Sequence, residues 1–368
     1  MNMRHSVLAL LLMAGISATA QTQVMEYRPG MTAEGIVYYL PKTSVKVAVK
    51  VEKTTYTPGE FCKYADKYLR IANVSENSYS TYRIIGTDIF SYGEADKNKA
   101  YALKVNSKTS ACNVKLAEDG RLLAVNTDAP EEKPLPQPFK PAAKPKTADP
   151  RSFLSQEILA AGSITKMAEL TATEIYDIRE SRNSLTKGEA DFMPKDGEQL
   201  RIMLNSLDQQ DKVLSSMFVG TISKDTTETV FTITPDKDIE KQVLFRMSAK
   251  LGLLDSDDMA GTPYYIYIKD LKTLPKTDFV DEKAQKAKEK AELAAKEKGN
   301  GLFVNVPSKM KVTIAEGNNK VAEYETTAGQ FGKVELLSGD LFNKRFTTRL
   351  TLDPQSGAVE KLTAEEPK

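Results

Sequence analysis

Histidine decides most of the chemistry open to this chain. Its 368 residues contain one, His5. That histidine lies in a segment with the pattern of a secretory leader. Arg4 and His5 make a basic start, Val7 to Ile16 is mostly apolar, and Ala18-Thr19-Ala20 is a small-residue cleavage site before Gln21. Removing the leader leaves a body with neither histidine nor tryptophan. Ser-His-Asp and Cys-His nucleophiles need an imidazole, and so do histidine sites for zinc or iron. No GxGxxG and no phosphate-cradling loop is present. The sequence implies no cofactor and assigns no catalytic residue and no metal ligand.

Ser-x-x-Lys is the nucleophile motif that works without histidine, because a lysine one helical turn away can take the serine proton. Ser163…Lys166, Ser184…Lys187 and Ser308…Lys311 all fit. The companion Lys-Thr-Gly is missing, and a chain rich in Ser and Lys produces such matches by chance. The expectation is solvated surface, with Ser163 at the mouth of a helix retained as a candidate. Carboxylate pairs are the remaining route, as in glycoside cleavage. Asp255, Asp257 and Asp258 cluster in a loop closed by Gly261. They suit a weak calcium site, an acid/base pair or a turn of solvated acids, but their spacing is not that of an EF-hand. Glu189, Asp191 and Asp196 form a second cluster, which capping and turn formation explain. Tyr264, Tyr265 and Tyr267 offer aromatic faces to a glycan or a protein, although their alternation also fits a half-buried strand. Asp255, Asp257, Asp258 and Tyr265 are the candidate binding residues.

Without the leader, Lys+Arg falls from 51 to 50 by loss of Arg4, against 50 Asp+Glu. A balance near zero steers the chain to neither nucleic acid nor an anionic membrane. The leader's apolar run is shorter than the roughly 20 residues of a spanning helix, and no other stretch reaches that length. No integral membrane segment is therefore expected after leader removal. No cysteine follows the apolar run, which argues against a lipid anchor. Cys62 and Cys112 remain. In an oxidising compartment they can form a disulfide worth about 4 kcal/mol. The other reading is two buried thiols acting as small hydrophobes.

These residues need elements to position them. The strongest is a helix from Asp196 to Gly220. Leu200, Met203, Leu204, Leu207, Leu214, Met217 and Phe218 recur along one face. Asp196 caps its first turn and Gly220 ends it. A preceding helical stretch from Ser152 to Leu185 breaks at Gly162, and the two make an antiparallel hairpin. Before it, strands are expected over Gly35–Leu40, ending at Pro41, and over Val45–Val51, where valines alternate with mostly charged residues. Thr57-Pro58-Gly59-Glu60 predicts the start of a helix running to about Ile71. Strands follow over Tyr82–Tyr92, Lys99–Val105 and Ser110–Leu116, and a Glu118-Asp119-Gly120 turn leads into Arg121–Val125. After the hairpin come Thr227–Thr234, Val243–Ser248, Tyr264–Ile268 and an antiparallel meander from Leu302 onward.

The predicted class is α+β. Residues 1–20 are the leader and 21–128 a β-rich N-terminal domain with one helix. Residues 129–150 are a Pro/Lys/Ala-rich linker and 151–220 the helical hairpin. The hairpin packs on an antiparallel β-rich C-terminal part, 221–368, with a charged helix near 281–298. The strands carry Lys and Glu on their wetter faces, so no outer-membrane barrel is expected.

Short stretches in order resemble a family of exported Bacteroides-type proteins of unknown function. They are Tyr38-Tyr39-Leu40-Pro41-Lys42-Thr43, Glu52-Lys53-Thr54, Pro58-Gly59-Glu60, Gly188-Glu189-Ala190-Asp191, Pro194-Lys195-Asp196-Gly197, Phe218-Val219-Gly220-Thr221, Gln330-Phe331-Gly332 and Asp353-Pro354…Gly357. The resemblance implies export from a Gram-negative anaerobe, to the periplasm or outer membrane, and supplies no activity. Asp225-Thr226-Thr227 looks like an O-glycosylation signal of such bacteria. The function expected is a non-catalytic binding or scaffolding protein, envelope-associated, whose partner is an envelope protein or glycan. The alternative is a carboxylate-dependent glycoside hydrolase acting on envelope or dietary glycan. An assembly chaperone for outer-membrane proteins is a third reading, needing an exposed strand edge or apolar groove.

Overall fold

The computed structural model describes residues 23–27, 35–104, 113–143, 148–274, 301–342 and 347–365. The leader, Cys112 and the charged helix near 281–298 lie outside the described residues. Three antiparallel sheets make up most of the rest, consistent with the α+β class. The first has the order β1 (Gln23–Glu26), β3 (Tyr79–Lys104), β2 (Ile36–Thr57), β6 (Thr221–Ile233). The second runs β11 (Asn319–Ser338), β10 (Gly301–Glu316), β9 (Thr262–Asp270), β7 (Ile239–Ser248), β8 (Gly252–Leu254). The third runs β13 (Val359–Glu365), β12 (Thr347–Leu352), β5 (Leu122–Val125), β4 (Val114–Leu116). Pairing thus crosses between residues 21–128 and 221–368 twice, at β2–β6 and at β5–β12.

The valine alternation of β2 works as expected. Val45, Val47, Val49 and Val51 are buried against Phe245, Ile266, Ile268, Val312 and Ile314 of the second sheet. A separate core gathers Tyr38, Leu40, Tyr101 and Leu103 with Leu122, Leu302, Val304, Leu350 and Leu352. Strand β2 runs through both cores, where the sequence predicts a break at Pro41. Proline is tolerated there for two reasons. Pro41 follows a register shift, and β6 does not reach it, pairing only with Val45–Thr57. The predicted strands of 82–92 and 99–105 are likewise one strand, β3.

The two longest hairpins share one irregularity. Between the pairs Tyr39↔Ala100 and Pro41↔Ala95, Leu40 faces Asp96, Lys97, Asn98 and Lys99. Between Val306↔Lys333 and Ser308↔Ala328, Pro307 faces Gly329, Gln330, Phe331 and Gly332. One residue opposes four in each, at the level where the chain passes from one core to the other. Such bulges bend a strand and re-aim its side chains.

A third core belongs to the helices. In α4 (Gly197–Val219) the Asp196 Oδ1 accepts from the Gln199 amide at 2.7 Å. In α3 (Ile164–Lys187), which follows the single-turn α2 (Gln156–Leu159), the Ser163 hydroxyl does the same for Lys166, and Gly188 at φ 75° closes the helix. The two are antiparallel, since Arg179 meets Asp211 and Arg182 meets Asp208. Exposed pairs of this kind are worth about 1 kcal/mol or less. Burial of Ile175, Ile178, Leu214, Met217 and Phe218 holds the hairpin. Its buried face meets Phe61, Ala65 and Leu69, which follow β2. The helix predicted to open at Thr57 begins later, as a 3₁₀ turn over Cys62–Tyr64 and a short α1 (Ala65–Leu69). Tertiary contact overrides the local cap. The Phe61 amide donates to the Met217 carbonyl at 2.7 Å, and a Cβ on Gly59 would lie 2.2 Å from that same oxygen. Among the described residues, no helix is long and apolar enough to cross a membrane.

Candidate functional site

Two places gather polar side chains from distant parts of the chain. The first is a buried belt between the two β cores. Thr43 is fully buried, and the Gln330 side chain grips its backbone in both directions. The Thr43 amide donates to Gln330 Oε1 at 2.8 Å, and Gln330 Nε2 donates to the Thr43 carbonyl at 2.7 Å. The Gln330 amide thus substitutes for a ladder partner above the end of β6. Asn305 Nδ2 donates to the carbonyls of Pro41 at 2.8 Å and Ser356 at 2.9 Å. Gln355 Nε2 donates to Thr326 Oγ1 at 2.6 Å. Arg121, only 7% exposed, binds Asp119 at 2.7 Å, Glu132 at 2.9 Å and the Pro354 carbonyl. Space here is tight. A Cβ on Gly329 would lie 2.5 Å from Asn305 Nδ2 and 2.7 Å from the carbonyls of Pro41 and Ser356. The stretches at 38–43, 330–332 and 353–357, far apart in sequence, therefore meet at one level. The Ser356 hydroxyl, fully buried in the belt, donates to Asp353 Oδ2 within the same turn. Asn305 Oδ1 and Thr87 Oγ1 are the buried side-chain atoms without a partner among the described residues.

The second place is the outward face of the β3-β2-β6 sheet. Residues 126–143 have no regular secondary structure. Pro134, Pro136, Pro138 and Pro141 favour an extended backbone. The segment crosses the sheet as a strap rather than as a free connector. The Phe139 amide donates to Glu228 Oε1 at 3.3 Å, and the Arg121–Glu132 pair pins the strap's start. Between strap and sheet lies a cavity of about 730 Å³. Its floor includes Ala48, Phe90 and Val230, and its walls include Lys46, Lys50, Asp88 and Glu228. Ala48 pairs in register with Val230 and is 4% exposed, although it faces outward between Lys46 and Lys50. Lys46 lies 4.8 Å from the Tyr92 ring centroid. The Lys50 ammonium sits 2.9 Å from Asp88 and 4.0 Å from Glu228. Its hydrogen bond to Asp88 raises the Lys50 pKa above the usual lysine range.

The residues singled out from sequence lie elsewhere. Asp255, Asp257 and Asp258 are exposed in the loop between β8 and β9. Asp258 Oδ1 accepts from the Ala260 amide at 2.9 Å, and Arg246 holds the carbonyls of Ser256 and Gly261 at 3.0 and 3.2 Å. Tyr265 is half-buried on β9 with the Lys241 ammonium 4.3 Å from its ring centroid. Tyr264, on the opposite face, is buried and stacks on Phe245 at 4.7 Å. Burial pushes its pKa up to about 12. Glu189 and Asp191 do come together, with Asp177, Glu180 and Phe192, around a cavity of about 460 Å³ at the hairpin tip. Asp196 caps α4 instead. No group of three or more His, Cys, Asp or Glu residues is placed to hold a metal ion among the described residues.

The Ser-x-x-Lys candidates resolve locally. Ser163 caps α3, while Lys166 pairs with Glu169 at 2.9 Å. Ser184 and Lys187 lie in the last turn of α3. Ser308 is fully buried and donates to Asp270 Oδ1 at 2.5 Å. Lys311, three positions along β10, faces the other way and binds Glu323 at 2.6 Å. Cys62 is half-buried and has no disulfide partner among the described residues, outside which Cys112 lies.

Sequence reasoning missed Lys50, Asp88, Glu228 and Phe139 as a group. Their only signal was a charged residue at alternate positions of β2 and a proline at alternate positions of the strap.

An antiparallel three-sheet body of the α+β class, with a belt built from widely separated stretches, is the frame for comparison with known proteins. The family described as a domain of unknown function (DUF4831) matches residues 34–360, and the chain belongs to that family. No curated protein and no solved structure matches the chain.

Proposed function

We propose that the chain is an exported, non-catalytic binding or scaffolding protein of the cell envelope, in the periplasm or at the outer membrane. Its partner is an envelope protein or glycan rather than nucleic acid. The strapped cavity carries this reading. It is roomy, has an apolar floor and offers fixed polar groups at its walls, the build of a recognition site. Its two carboxylates are both tied to Lys50, at 2.9 Å from Asp88 and 4.0 Å from Glu228. Crosslinking in isolated envelope fractions, followed by affinity capture, tests the reading. One stoichiometric partner is expected. Recovery of the protein alone, with or without crosslinker, counts against it.

A second reading keeps the glycoside hydrolase. Asp88 and Glu228 line one cavity, and paired carboxylates are the machinery of glycoside cleavage. Turnover of an envelope or dietary glycan that is lost in both Asp88→Asn and Glu228→Gln would establish it in place of the first.

A further inference from the structure

We propose that the groove beneath residues 131–143 receives an extended proline-rich peptide of a partner protein, and that the strap is its built-in competitor. This rests on reading the strapped cavity as a binding site and names the ligand class.

The strap does not fill the space it covers. A groove of about 730 Å³, open to solvent and lined by both strap and sheet, remains beside it. The segment is also lightly held. Among the described residues, its polar ties to the body are the Phe139 amide on Glu228 at 3.3 Å and Glu132 on Arg121 at 2.9 Å. Between these ties the proline at every second position removes backbone donors that a sheet face could not satisfy. One accepting carboxylate then suffices, and Glu228 supplies it from the edge strand β6. Ala48, Phe90 and Val230 offer apolar surface to the peptide's rings and aliphatic groups. The chemistry already seated on the face specifies the chemistry that can replace it: an extended backbone, prolines at alternate positions, and an amide donor aligned with Glu228.

A tethered segment competes at an effective concentration in the millimolar range. A partner peptide therefore binds the intact chain more weakly than a chain whose strap is gone, in proportion to the fraction of open groove. The probe is a synthetic peptide of residues 131–143, Glu-Glu-Lys-Pro-Leu-Pro-Gln-Pro-Phe-Lys-Pro-Ala-Ala. The receptor is the full chain with residues 133–141 replaced by a Gly/Ser segment of equal length, its fold checked by cooperative unfolding. Should that variant not fold, the double substitution Leu135→Ser and Phe139→Ser in the full chain replaces it.

Binding at least about tenfold tighter than to the unaltered chain is expected. Glu228→Ala in the strapless receptor should weaken it by about tenfold, the worth of a charge-assisted bond. A peptide with its prolines changed to glycine should bind more weakly than the original. A folded strapless receptor that ignores the peptide overturns the inference, even where crosslinking still captures a partner at another surface. A dimer of the unaltered chain that strap replacement abolishes also overturns it, by assigning the groove to the strap of a second copy.

Discussion

The belt and the strapped face both tie distant stretches of one chain together, and they do so with opposite economy. In the belt, Thr43, Asn305, Gln330 and Ser356 are locked by paired hydrogen bonds in a space too tight for a Cβ on Gly329. On the strapped face, one amide and one ion pair hold a segment above a large cavity. The stretches that look most distinctive in the sequence, at 38–43, 330–332 and 353–357, build the belt. Their distinctiveness reports a demand of packing and hydrogen bonding between two cores. The surface best suited to recognition is made of ordinary alternating residues and a proline-rich segment.

The contrast breaks most severely at Gly329. Gly329→Ala should cost about 3 kcal/mol or more, because its Cβ would meet Asn305 Nδ2 at 2.5 Å and two backbone carbonyls at 2.7 Å, all held in one hydrogen-bond set. Chemical denaturation would register this as a large drop in midpoint, and an unchanged midpoint would mean the belt is slack. Asn305→Ala should cost about 2–4 kcal/mol by leaving the carbonyls of Pro41 and Ser356 without their donor. A larger truncation on the strap, Phe139→Ala, should cost only about 1 kcal/mol or less, since Phe139 is half-buried. Parity between Asn305→Ala and Phe139→Ala would erase the distinction drawn above.

Alkaline titration sharpens the same comparison. Tyr101 lies in one β core and Tyr264 in the other, and burial raises each from 10.0 to about 12. A raised folded-state value means that the unfolded chain loses these protons first. Stability is therefore full below pH 10 and falls as pH rises toward about 12. If the belt couples the cores, Tyr101→Phe and Tyr264→Phe should each remove tyrosinate amplitude from the same cooperative alkaline step. Two separated steps would show that the cores melt apart. The smallest effect is expected at Glu228→Ala, within about 1 kcal/mol in stability, because it removes one long hydrogen bond of 3.3 Å and a 4.0 Å ion pair.

Local signals made the helical hairpin and most strands legible. Asp196 and Ser163 announce their helices by capping chemistry that acts within one turn, and both caps form. The valine alternation of β2 likewise carries its own register. What stayed hidden depends on partners far along the chain. Pro41 reads as a strand end, yet a bulge and a missing neighbour let β2 continue through it. Thr57 reads as a helix cap, but the Phe61 amide is committed to the Met217 carbonyl and the first helical turn starts only at Cys62. The site was less legible still. Asp255, Asp257 and Asp258 are conspicuous because they are adjacent, whereas Lys50, Asp88 and Glu228 come from three strands that meet only through register. No spacing rule links them.

The seam between β5 and β12 sets a timetable. Leu350 pairs with Val125, so a ribosome delivers one half of that sheet long before the other. Closing so long a loop costs chain entropy before any contact repays it, which makes assembly slow. The nascent polypeptide stays open until its final ribbons emerge. An unfolded thread of that kind can still pass through a secretion channel, as the export proposed for it requires.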